Sequence, residues 1–105
     1  MDNFKTIYQI LKTLEKALDL EEIPKDLLTA GRFAISEPRF ARILEMLVSD
    51  GYIKGIEIWN SLDQDYPRYS ISRPGITVKG LEYLAENSVM KKLAKAAKGI
   101  ADIIP

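Results

Sequence analysis

Between Ser36 and Trp59 the hydrophobic pattern changes from a helical period to a strand period within one short stretch. Phe40, Ile43, Leu44, Leu47 and Val48 recur every three or four positions and form one apolar stripe. Ser36 stands where its hydroxyl can accept a bond from a first-turn amide, and Pro38 sits inside that turn, where a missing N–H costs nothing. Gly51 supplies the left-handed residue that stops a helix. The spacing predicts a helix over 37–50 whose outward face carries Arg39, Arg42, Met46 and Ser49, with Glu45 beside it. Tyr52 to Trp59 then reads as a strand. Ile53, Gly55, Glu57 and Trp59 are expected on one face, Lys54, Ile56 and Ile58 on the other, with Gly55 marking a candidate bulge.

The rest of the chain arranges itself around this unit. Asn3 is expected to cap a first helix running to about Leu20. Ile7, Leu11, Leu14 and Leu18 form its apolar face, widened by Phe4, Ile10 and Ala17. The residue before Pro24 is pushed out of helical geometry, which ends it. A short second helix is expected over PKDLLTA, with Leu27 and Leu28 inward and Gly31 as its stop, then a brief extended segment at Phe33 and Ile35. After the first strand, NSLDQD reads as a polar loop. Arg68 to Ser72 alternates again with Tyr69 and Ile71 on one face, Arg73-Pro74-Gly75 is expected to turn the chain, and Ile76 adds a last strand residue. Thr77 caps a helix VKGLEYLAEN with Val78, Leu81, Leu84 and Ala85 inward, ended by Asn87. Ser88 caps a final helix whose apolar face carries Met90, Leu93, Ala94, Ala97, Ile100 and Ile104. This order predicts an α+β fold of winged helix-turn-helix type: a three-helix core with a β-hairpin wing, plus C-terminal helices. Residues 1–87 form the winged-helix domain, and residues 88–105 form an amphipathic helix packed on it or in a dimer interface.

Composition narrows the chemistry. A chain of 105 residues allows one domain, and 47% hydrophobic with 29% charged residues is ordinary globular composition. Without cysteine there is no disulfide and no thiolate site. Without histidine the commonest general base and zinc ligand are both missing. No pairing of nucleophile with base, phosphate cradle or metal-ligand cluster is seen, so no enzyme, cofactor or metal is expected. No apolar run approaches the roughly 20 residues that span a bilayer, and the N-terminal stretch is unlike a secretory signal, so a cytoplasmic protein is expected.

Net charge is zero, which argues against binding DNA by bulk charge. Its distribution is uneven. Residues 1–50 carry seven basic and nine acidic side chains, whereas residues 88–105 carry Lys91, Lys92, Lys95 and Lys98 against Asp102 alone. Arg39 and Arg42, on the outward face of the 37–50 helix, are the candidate contacts to duplex DNA, since arginine makes the commonest specific base pairing. A solvated face with an Arg42–Glu45 pair is the plain alternative. Arg68, Lys54 and Arg73, on and beside the wing, are candidate phosphate contacts, against ordinary strand polarity. Asp63 and Asp65 lack the further oxygen ligands of a calcium loop and read as hairpin polarity. The tyrosines with Trp59 could stack on single-stranded nucleic acid, but they are spread over helix, strand and loop and read mostly as core or core edge. Leu93, Ala97, Ile100 and Ile104 are the candidate homodimer contacts. Their alanine-rich stripe suits close helix packing on the domain or on a second copy better than a membrane surface.

Two short runs carry a family resemblance. One is DGYIKG, Asp50 to Gly55. The other is T-x-K-G-x-x-Y-L-x-E-N, here Thr77, Lys79, Gly80, Tyr83, Leu84, Glu86 and Asn87. With the leading IYQILKTL helix and the lysine-rich tail, the chain resembles the YjcQ-type proteins, small winged-helix proteins of Gram-positive bacteria and their prophages. Residues Leu27 to Ile35 depart from that pattern by being longer and more apolar. The resemblance implies the fold and a phage or prophage origin, but neither an activity nor catalytic residues. Two functions therefore fit the chain: a DNA-binding, regulator-like protein, and a protein-interaction module with no DNA binding on the same scaffold.

Overall fold

The computed structural model describes residues 3–87. Its first helix, α1, spans Asn3–Lys16 and buries Thr6, Ile10, Leu11 and Leu14. It stops earlier than the pattern predicts. The chain tightens into a 3-10 turn at Ala17–Asp19 and leaves it extended at Leu20. A 3-10 turn, with three residues per revolution, rotates its side chains off the 3.6-residue stripe. Leu18, expected on the apolar face, therefore points to water, as does Leu20. Phe4, expected to widen that face, is also exposed.

Residues 24–30 form no helix. One turn closes from the Leu27 N–H to the Pro24 carbonyl at 3.1 Å, yet Leu27 and Leu28 are still buried. Seven residues are too few to hold a helix alone, and the core takes both leucines from an irregular path. Nor is Phe33–Ile35 extended. Gly31–Phe33 is a 3-10 turn that ends on Ala34 at φ 56°, with Ala34 N–H bonded to the Gly31 carbonyl and Ile35 N–H to the Ala30 carbonyl. That pair of bonds is a Schellman closure with alanine at the left-handed position where glycine is usual.

The second helix, α2, is Glu37–Ser49 and matches its pattern closely. The Ser36 hydroxyl accepts the Arg39 N–H at 3.2 Å, Pro38 lies in the first turn, and Phe40, Ala41, Ile43, Leu44 and Leu47 are buried. Gly51, at φ 79°, closes the far end. Its N–H reaches the Val48 carbonyl and the Tyr52 N–H reaches that of Leu47.

Strands β1 (Ile53–Trp59) and β2 (Arg68–Ile76) pair antiparallel, from Trp59↔Arg68 to Ile53↔Ile76. The pairing shifts between Lys54 and Ile56, where Gly55 alone stands opposite residues 72–74. Two expectations change here. Arg73-Pro74-Gly75 kinks β2 rather than turning the chain out of the sheet, and pairing resumes at Lys54↔Gly75. The face order of β1 also switches phase at Gly55, so Ile53 and Ile56 are both buried while Lys54, Glu57 and Trp59 are exposed. Proline is admitted to a strand at such an irregularity.

Residues 78–87 form a third helix, α3. Thr77 Oγ1 accepts the Gly80 N–H at 3.1 Å, and Leu84 is buried. Val78 and Ala85, expected inward, are exposed, because the helix meets the core along Gly80, Leu81 and Leu84 instead. Its start is laced to the α2–β1 junction. Thr77 donates its hydroxyl to the Gly51 carbonyl at 2.5 Å, Lys79 donates to the Asp50 carbonyl at 2.8 Å and lies over the Tyr52 ring, and Tyr52 meets Tyr83 edge-on. Gly80 permits this approach, since a Cβ there would lie 2.4 Å from the Tyr52 carbonyl oxygen.

Among the described residues the fold is thus α+β, three helices and a two-stranded antiparallel hairpin, compatible with a winged helix. One hydrophobic core joins all of these elements, with Ile10 and Leu11 of α1 and Phe40 and Leu44 of α2 wholly buried in it. The expected tail helix with Leu93, Ala97, Ile100 and Ile104 lies outside the described residues.

Candidate nucleic-acid interface

The Ser36 cap and the buried stripe of α2 together dictate which side chains the helix presents. With Phe40, Ile43, Leu44 and Leu47 inward, Arg39, Arg42, Met46 and Ser49 are left in water. Arg39 donates from Nη1 to Asn3 Oδ1 at 2.5 Å, which ties the outer face of α2 to the start of α1. Arg42 donates from Nη2 to the Asp65 carbonyl oxygen at 3.0 Å, which ties it to the loop between the strands. A guanidinium has several donors in a planar fork, so one bond of this kind orients it without exhausting it.

The hairpin lies back along α2, so its loop end meets the N-terminal half of the helix. Phe40 takes the Tyr69 ring edge-on at 5.6 Å, and the Tyr69 hydroxyl donates to the Glu37 carboxylate. Burial first, then that carboxylate, push the Tyr69 phenol well above its ordinary pKa, so it remains a donor. Glu37, Trp59, Gln64, Tyr66, Pro67, Arg68 and Tyr69 surround a shallow cleft of about 330 Å³. In the loop the Ser61 hydroxyl donates to Asp63, which lowers that carboxyl's pKa. Among the described residues no group of acidic side chains is arranged to hold a metal ion. No helix there is long and apolar enough to cross a membrane.

The structure divides the basic residues picked from the sequence. Arg39, Arg42 and Arg68 gather around the N-terminal half of α2 and the loop end of the hairpin, where Arg68 stands opposite Trp59. Lys54 and Arg73 are exposed at the other end, beside the kink. Lys54 and Trp59 are five steps of strand apart, roughly 17 Å.

A second concavity does not show in the linear sequence. Lys5, Lys12 and Lys16 of α1 and Arg32 of the 3-10 turn line an open groove of about 770 Å³. Charge counted along the chain obscures it, because the first half is net acidic. The positions 5, 12 and 16 share one side of a helix, and that spacing is the signal a sequence offers.

A family model described as YjcQ protein matches residues 8–103. The chain belongs to the YjcQ family. No curated protein and no solved structure matches it. In this YjcQ chain the two runs that carry the resemblance meet each other. Asp50, Gly51 and Tyr52 of the first are the partners of Thr77, Lys79, Gly80 and Tyr83 of the second. These two runs therefore form a joint of the fold, set apart from the outer face of α2.

Proposed function

We propose that this YjcQ protein binds duplex DNA as a winged helix and performs no chemistry. Helix α2 enters the major groove, and the β1–β2 hairpin acts as the wing on the flanking backbone. The observation that supports this best is the pair Arg39 and Arg42, side by side on the exposed face of α2 and each oriented by a bond to a neighbouring element. Arg68 on the wing is the accompanying phosphate contact, with Lys54 and Arg73 reaching the backbone farther out. Fluorescence anisotropy with labelled duplex across salt concentrations tests it. Affinity should fall steeply as salt rises, and Arg42→Ala should weaken binding about tenfold or more. Absence of binding at low salt, or binding indifferent to both arginines, would remove the proposal.

A second reading rests on apolar exposure. Leu62 at the hairpin tip is fully exposed, and Trp59 and Met46 are about half exposed near the same end and on the outer face of α2. Residues of this kind anchor protein interfaces. Under this reading the fold is an interaction module or a homodimer. Sedimentation should then show a concentration-dependent dimer that Trp59→Ser with Leu62→Ser abolishes. A monomer at every concentration would exclude the homodimer.

A further inference from the structure

The groove along α1 concentrates positive charge in a chain with no net charge. Lys5, Lys12 and Lys16 follow one another at i, i+7 and i+11, so they stand along one side of α1, and Tyr8 falls between the first two. Lys12 and Lys16 are one turn apart, roughly 6 Å along the axis. Arg32 and Phe33 build the facing wall on the 3-10 turn that the Ala34 closure holds in place. Among the described residues no aspartate or glutamate lines the groove. The carboxylate beside it, Glu15, takes the Lys12 ammonium at 2.8 Å on an exposed surface. Such an exposed pair is weak because water screens it, so a phosphate can replace it.

The two rings are what choose the occupant. Phe33 lies nearly parallel to the fully buried Phe40, with centroids 6.0 Å apart, which fixes the plane of a half-buried ring at the groove wall. Tyr8 is half-buried in the opposite wall. Cations interleaved with rings held in place are how proteins grip phosphates and stack bases without reading sequence. An acidic peptide would use the cations and leave the rings idle. We infer that this groove binds the phosphate–base unit of single-stranded nucleic acid or of a free nucleotide, separately from the duplex surface on α2.

The test is anisotropy with a labelled oligothymidylate at low salt, with unlabelled thymidine monophosphate, poly-glutamate and duplex DNA as competitors. The single strand should bind, and Lys16→Glu with Arg32→Glu should weaken it about tenfold or more. Both side chains are exposed, so the melting curve should stay in place. Tyr8→Leu should cost about fivefold or more through lost stacking. Arg42→Ala should leave single-strand binding unchanged and lower only duplex binding, so this inference and the duplex proposal fail independently. Competition by the mononucleotide at similar concentration identifies a free nucleotide as occupant, and its failure to compete identifies a strand. The inference is overturned by absence of binding at low salt, or by loss through Arg42→Ala rather than the groove variants. Poly-glutamate competing as well as the strand, with Tyr8→Leu silent, also overturns it and points to an acidic protein segment.

Discussion

Replacing Phe40 with alanine is expected to lower the unfolding free energy by about 3–5 kcal/mol. A domain of this size holds roughly 5–15 kcal/mol in all, so much of its stability would go. The ring is wholly buried and does more than fill volume. It stacks on Phe33, which belongs to the turn before α2, and takes the edge of Tyr69, which belongs to β2. Removing it opens a cavity among elements from three parts of the chain and frees Tyr69 to leave Glu37. Urea unfolding followed by circular dichroism measures the loss. Phe40→Leu, which keeps much of the volume, should cost distinctly less, and a cost for alanine below about 1 kcal/mol would contradict the packing described.

Gly55→Ala is expected to cost about 3 kcal/mol, from two sources that a second variant separates. The backbone at Gly55 has φ 80°, where a side chain is strained, and its Cβ would also fall 1.8 Å from the Arg73 carbonyl oxygen. Gly51 has nearly the same φ, 79°, but nothing lies within 4 Å of an added Cβ. Gly51→Ala should therefore show the left-handed cost alone, about 1 kcal/mol. The difference between the variants measures the collision with β2. Equal costs would mean that the kink at residues 72–74 gives way freely. Backbone amide shifts of Ser72, Arg73 and Gly75, moving in Gly55→Ala and still in Gly51→Ala, provide a second check.

How far the sequence discloses each element depends on how local its determinants are. Helix α2 carries its own cap, stripe and stop within sixteen residues, Ser36 to Gly51, and all of them act in the structure. The stretch from Pro24 to Ile35 carries no such set. Its path comes from burying Leu27 and Leu28 and from an alanine closing a turn, and neither leaves a periodic trace. The strand after Arg68 reads as broken at Pro74 because the residue that accommodates the kink, Gly55, lies far back in the chain. The candidate interface divides in the same way. The outward position of Arg39 and Arg42 is set by helical spacing. The bond from Arg42 to the Asp65 carbonyl depends on a loop folding back over α2, and the α1 groove depends on Arg32 arriving opposite three lysines.

The joint between the α2–β1 corner and the start of α3 bears on how such a protein could diversify. Its bonds run largely to main-chain oxygens, those of Asp50, Gly51 and Tyr52, so they dictate a shape and ask nothing of the side chains displayed elsewhere. The positions at 39, 42, 46 and 49 lie on the far side of α2 from the core and take no part in that lacing. Exchanging them would give a new face on an old chassis, the way a key blank accepts different cuts.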